Sequence, residues 1–163
     1  MFVSEKIENK KIAKHYKELL KISYQNLSND DKKLIRSAFD TAVHAHKDQR
    51  RKSGELYIYH PIGVAKIVAQ EIGLDATSIA AALLHDVVED TEYSFEEIEK
   101  LFGIDIRKIV EGLTKISKLS KENKVSLQAE NFRKLLLTLN DDIRVIIIKI
   151  ADRLHNMQTL DAM

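Results

Sequence analysis

Cysteine is absent from the 163-residue chain. That excludes a disulfide scaffold, a thiol nucleophile and any zinc site built on thiolates, so a metal ion would have to be held by His and carboxylates. Proline occurs once and glycine five times, every glycine lying beyond residue 53. Barrels and sandwiches need more turn residues than that, so an all-helical domain is expected. No apolar run reaches the roughly 18 residues of a membrane span. Residues 1–30 carry Glu5, Lys6, Glu8, Lys10 and Lys11 where a secretory leader has its apolar stretch, so no leader is expected. An excess of one charge is also missing. Lys and Arg number 26 against 25 Asp and Glu, a net charge of +1, which gives no bulk electrostatic reason to expect nucleic-acid binding. What remains is an ordinary globular composition, 44% apolar and 31% charged, in a length that suits one domain over 1–163.

Helical periodicity recurs along the chain. Segment 5–26 aligns Ile12, Tyr16, Leu19 and Leu20. Ser28 is placed to N-cap a second helix with Leu34, Ala38, Phe39, Ala42 and Ala45 inward, ending near Asp48. Residues 49–59 read as a loop turning at Gly54; Pro61 suits the first turn of a third helix, which Gly73 closes. Asp75 caps a fourth, whose run ATSIAAALLHDVVED is apolar nearly all round and therefore central. Ser94 with Glu97 forms a capping box, stapled by Tyr93 and Ile98, for a fifth helix that ends at Gly103. A sixth spans about 105–116. The polar, Lys-rich segment 117–129 is expected to be a mobile loop and a candidate lid. A seventh helix is expected near 129–138, and Asn140 or Asp141 would cap an eighth, carried by Ile143, Ile147, Ile150, Leu154 and Met157. The run VIII at 145–148 favours a strand by local propensity, but the longer helical spacing outweighs it.

Chemistry is suggested where polar groups interrupt these apolar faces. The fourth helix ends in His85, Asp86, Glu89 and Asp90. Neighbouring side chains on a helix diverge by only about 100°, and Glu89 and Asp90 return to the same faces one turn later. A solvated acidic helix end is the plain alternative. Burying four ionisable groups costs several kcal/mol unless something pairs with them, and a metal ion would. In the eighth helix Asp152, Asn156 and Thr159 share a face, and His60 stands just before Pro61. His60, His85, Asp86 and Asp152 make a mixed ligand set for a divalent ion such as Mn²⁺, Fe²⁺ or Zn²⁺, between which ligand type does not choose. Glu89 and Asp90 would orient a water or shuttle its proton. Arg50, Arg51, Lys52 and Ser53 form a loop suited to gripping phosphate, with Lys115 a weaker candidate. His15 is expected on an exposed face, His44 and His46 as packing or surface residues, and His155 in a structural hydrogen bond.

The motifs RKSGELYIYHP (51–61), LLHDVVEDT (83–91), LTK (113–115) and KIADRLHNMQTL (149–160) resemble those of HD-domain phosphohydrolases, and more closely the hydrolase domain of the Rel/Spo stringent-response enzymes. The resemblance implies an HD helical bundle of about eight helices. It implies a cytoplasmic enzyme that hydrolyses the guanine nucleotides ppGpp and pppGpp at the 3′ position with Mn²⁺, giving pyrophosphate and GDP or GTP. By motif position His60, His85, Asp86 and Asp152 become the metal ligands, and Glu89 and Asp90 the pair that activates water. Arg51, Lys52 and Ser53 match the segment that grips the nucleotide, while Asn156 and Thr159 match positions lining its pocket. Leu56 departs from the family's frequent Pro, which bears on loop shape alone. The chain is expected to be an N-terminal fragment of a longer enzyme with synthetase and regulatory domains in cis. Two rivals stand beside this reading: a relative acting on another nucleotide, such as an NADPH phosphatase, and a nucleotide-binding domain without turnover.

Overall fold

The structure, a computed structural model, describes residues 2–23, 27–122 and 142–160. The helices are α1 (Phe2–Ser23), α2 (Asn29–Ala45), α3 (Tyr59–Ile67), α4 (Ala76–Leu83), α5 (Val87–Asp90), α6 (Phe95–Phe102), α7 (Ile104–Glu122) and α8 (Ile143–Gln158). A π-helical turn, Val68–Ile72, extends α3 up to Gly73. Among the described residues the only β pairing is an isolated bridge between Arg50 and Leu56. The all-helical expectation holds.

Helix starts follow the local capping chemistry. Ser28 and Asp31 exchange backbone and side-chain hydrogen bonds at the head of α2, and Ser94 and Glu97 do the same for α6. Asp75 accepts from the Ser78 N–H at the start of α4. Asp142 caps α8, one or two residues beyond the expected Asn140 or Asp141, which lie outside the described residues. Its carboxyl also holds the Arg144 guanidinium, and that hydrogen bond keeps Asp142 below the usual carboxylate range.

α4 is the hub. It packs against α2, α3, α7 and α8, and Ala80, Ala81, Ala82, Leu83 and Leu84 are all fully buried. Small alanine faces let several neighbouring helices approach closely. α3 in turn packs against α1 and α8, which brings the first turn of α3 beside the middle of α8.

Two expectations need correction. The fourth helix is not continuous: α4 stops at Leu83, residues 84–86 form a turn, and α5 begins at Val87. No Gly or Pro marks this break. The sixth helix does not end at Ile116 but runs on to Glu122, so residues 117–122 of the expected lid are helical. Lys and Glu are good helix formers, and Lys115 pairs with Glu111 one turn earlier, so polarity there signals an exposed helix face. The rest of that segment, and the helix expected near 129–138, lie outside the described residues. In α8 the helical reading holds, and the structure selects the buried face. Val145, Ile148, Ala151 and Asp152 point inward, while Ile143, Ile150, Leu154 and Met157 are exposed. Apolar residues surround this helix, so periodicity could not say which stripe is buried.

Candidate metal centre

Four side chains from three places in the chain meet in the interior. His60 comes from the first turn of α3, His85 and Asp86 from the α4–α5 turn, and Asp152 from α8. Their side chains are only 3, 4, 13 and 8% exposed, respectively. His60 Nε2 lies 2.9 Å from Asp152 Oδ1 and 3.7 Å from Asp86 Oδ2. His85 Nε2 lies 2.8 Å from Asp86 Oδ2 and 3.6 Å from Asp152 Oδ1. Donor atoms of His60, His85 and Asp152 all fall within 4.8 Å of one another. Ligands bonded to one ion at about 2.0–2.2 Å stand some 3–4 Å apart, so this spacing suits a shared cation.

The break after α4 creates this arrangement. The His85 ring turns back so that its Nδ1 lies 2.6 Å from the Ala82 carbonyl. A carbonyl only accepts, so Nδ1 carries a proton and Nε2 is the atom aimed at the cluster. His85 Nε2 is buried and has no hydrogen-bond partner, although Asp86 lies within ion-pair distance. A buried imidazole nitrogen left over in this way, among two carboxylates and a second imidazole, fits a divalent cation.

The electrostatics agree. Burial alone would raise the carboxyl groups of Asp86 and Asp152, yet both are held well below the usual carboxylate range. For Asp86 the opposing influences are His85 and the Tyr57 hydroxyl; for Asp152 they are His60, His85 and Lys149. Burial lowers His60 below its ordinary value, with the Asp152 hydrogen bond opposing. Burial also pulls His85 down, but the charges of Asp86 and Asp152 outweigh it and hold His85 well above its ordinary value. The two carboxylates thus favour positive charge at the position of His85 Nε2, the place a divalent cation would take.

A cleft of about 240 Å³ opens onto the cluster, and Glu89 and Asp90 of α5 line it with Arg51 and Asn156. Arg51 is anchored by two hydrogen bonds to the C-terminal end of α8 and its cap, 3.1 Å to Asn156 Oδ1 and 2.9 Å to Thr159 Oγ1. The loop holds Arg51 here because Gly54, at φ 90°, closes a tight turn with its N–H on the Arg51 carbonyl. Lys52 and Ser53 are exposed on that loop and do not line the cleft. Ser53 instead borders a separate groove of about 1230 Å³ that contains none of the four candidate ligands.

Sequence reasoning missed several groups. Tyr57 donates its hydroxyl to Asp86 and leans on the His46 ring. His46, expected as a packing or surface residue, is buried and bonded through Nδ1 to Gln49, whose amide reaches the Asp90 carbonyl. Lys149 bridges Asp152 and Ser117 at 2.9 and 3.0 Å and lines the cleft. Lys149, three residues before Asp152 on α8, could have been found by asking which polar groups share a helical face with a proposed ligand, whereas Tyr57 lies in the turn before α3, where no such periodicity points to it. The remaining histidines fall mostly as expected. His155 makes a hydrogen bond to His60, and His44 is exposed with its ring edge-on to Tyr93. His15 is half-exposed, beside Glu18 and Tyr59. Lys115 is exposed and paired with Glu111, away from the cleft lining.

Comparison with known proteins accords with this geometry. The HD-domain family profile matches residues 38–163. A probable guanosine-3′,5′-bis(diphosphate) 3′-pyrophosphohydrolase of Synechocystis is 54% identical over 130 residues, covering 80% of this chain and 17% of that protein. The bifunctional (p)ppGpp synthase/hydrolase SpoT of Escherichia coli K12 is 49% identical over 137 residues, covering 84% of this chain and 19% of that protein. The chain thus spans under a fifth of the length of these curated relatives. A solved structure described as a metazoan ortholog of SpoT that hydrolyzes ppGpp superposes with a TM-score of 0.63 at 32% identity, covering 84% of this chain and 73% of that one. Among the described residues no helix is long and apolar enough to cross a membrane. The chain belongs to the HD-domain family and, within it, to the Rel/Spo group.

Proposed function

We propose that this chain hydrolyses ppGpp and pppGpp at the 3′ position, releasing pyrophosphate with GDP or GTP. One observation carries the reading: two imidazoles and two carboxylates from distant segments converge beside a cleft lined by Arg51, Glu89 and Asp90. The names of its close relatives support the choice of substrate. His60, His85, Asp86 and Asp152 would hold a divalent cation, Mn²⁺ by the family resemblance, which when bound polarises phosphoryl oxygens and acidifies water.

The chain's own residues divide the remaining work. Glu89 or Asp90 takes the proton from the attacking water as its oxygen bonds to the 3′ phosphorus. The bond from that phosphorus to the ribose 3′ oxygen breaks, and the oxygen takes up a proton. Arg51 and Lys149 set positive charge at the wall of the cleft, where negative charge gathers on the phosphoryl oxygens. The cleft's 240 Å³ is smaller than the roughly 300–1,000 Å³ usual for a whole ligand, so it suits the pyrophosphate end. The nucleoside would then lie over the edge made by Arg51, Asn156 and Thr159, with Lys52 and Ser53 offered from the exposed loop. We take the chain as a single HD unit that works in the cytoplasm beside synthetase and regulatory domains in cis, as the greater length of its relatives suggests.

The test is turnover. With Mn²⁺ and ppGpp, anion-exchange chromatography should reveal pyrophosphate and GDP in equal amounts. No turnover with metal present would sink the reading, and phosphate released from NADPH instead would make the rival substrate the true one.

A further inference from the structure

We infer that His155 is a positioning residue for His60, and that Gly63 is a glycine so that His155 can occupy its place. The inference rests on the metal-centre reading above. Nδ1 of His155 lies 2.8 Å from Nδ1 of His60, with the ring centroids 5.0 Å apart. Two facing imidazole nitrogens share one proton, so one donates and the other accepts. His60 points its other nitrogen, Nε2, at Asp152 and the cluster. If Nε2 is to give its lone pair to a cation, the His60 proton must sit on Nδ1. His60 then donates and His155 accepts. His155 thereby fixes the tautomer and the ring plane of His60, as the Ala82 carbonyl does for His85.

The backbone of α3 is cut to fit this ring. Gly63 lies one turn after His60 on the same helix. A Cβ added at Gly63 would stand 2.1 Å from His155 Nε2, 2.4 Å from Cδ2 and 2.9 Å from Cε1. No side chain fits there without driving the imidazole away. The φ of Gly63 is not positive, so a turn does not explain the glycine; the close approach of the ring does. α3 thus supplies both the ligand and the space for the residue that aims it, while α8 supplies that residue and Asp152 together.

The experiment is Mn²⁺ binding by the full chain, read from the electron paramagnetic resonance of free Mn²⁺, so it does not depend on turnover. His155→Phe, which fills the space but accepts nothing, should weaken binding by about 10–100-fold. His155→Gln, whose amide oxygen can accept from His60, should recover most of that loss. Gly63→Ala should weaken binding through displacement of His155, and should add nothing in a His155→Ala background. Equal losses in His155→Phe and His155→Gln would overturn the inference, as would wild-type affinity in His155→Phe and Gly63→Ala. Asp152→Ala separates the two levels. If it binds Mn²⁺ as the wild type does, the metal centre itself is wrong and the inference falls with it. If it loses Mn²⁺ while the His155 and Gly63 variants do not, the inference alone is wrong.

Discussion

Asp152→Asn should reduce ppGpp hydrolysis by on the order of 10³-fold or more, together with a loss of Mn²⁺ binding. The amide keeps the shape of the side chain but removes one of the two buried negative charges that attract the cation. Asp152 Oδ1 is 2.9 Å from His60 Nε2 and 3.6 Å from His85 Nε2, so it touches both imidazoles of the cluster. Its second oxygen is held by Lys149 at 2.9 Å, which fixes the carboxylate's direction. Metal catalysis of this kind contributes several kcal/mol of charge stabilisation, and each 1.4 kcal/mol or so is tenfold in rate. Calorimetric Mn²⁺ titration beside a pyrophosphate-release assay would check both halves. Retained turnover with lost metal binding would separate the cation from the chemistry and refute the scheme.

Glu89→Gln and Asp90→Asn should behave differently. At least one of them should lower kcat by about 10²–10⁴-fold, the usual worth of a positioned acid or base. Neither should change Mn²⁺ affinity by more than a few-fold, because both line the cleft beyond the four buried side chains proposed as ligands. α5 makes this possible. Its single turn starts directly after Asp86, so the same break that aims His85 and Asp86 inward precedes the turn whose Glu89 and Asp90 line the cleft. Loss of metal in step with loss of rate would make these residues ligands or supports, not proton carriers.

What the sequence disclosed and what it hid follow from the range of the interactions. Ser28, Asp75 and Ser94 were legible as caps because each acts on an N–H within three residues. His85, Asp86 and Asp152 drew notice because polar groups on apolar faces need a partner, His60 joined them chiefly by motif position, and the structure brings the four side chains together. The break after Leu83 was not legible. LLHDVVED contains no Gly or Pro, and the turn depends on His85 engaging the Ala82 carbonyl and facing a cluster built from α3 and α8. The face of α8 was hidden for another reason. Its residues Ile143, Ile147, Ile150 and Leu154 form as good a stripe as Val145, Ile148 and Ala151, and only packing on α3 and α7 selects the second. Tyr57 was missed because its part is to hold Asp86, across 29 residues of sequence. Arg51 shows the opposite case. It was suggested by charge and by motif position, and its bonds to Asn156 and Thr159 join two motifs about a hundred residues apart into one edge of the cleft.

The central claim is that one cation sits among four named side chains. A crystal structure of the protein grown with Mn²⁺, with anomalous scattering recorded at the manganese edge, tests it most directly. The account predicts a single strong peak bonded to His60 Nε2, His85 Nε2, Asp86 and Asp152. A peak elsewhere, or these four groups bonded only to one another with manganese in the crystal, would contradict it.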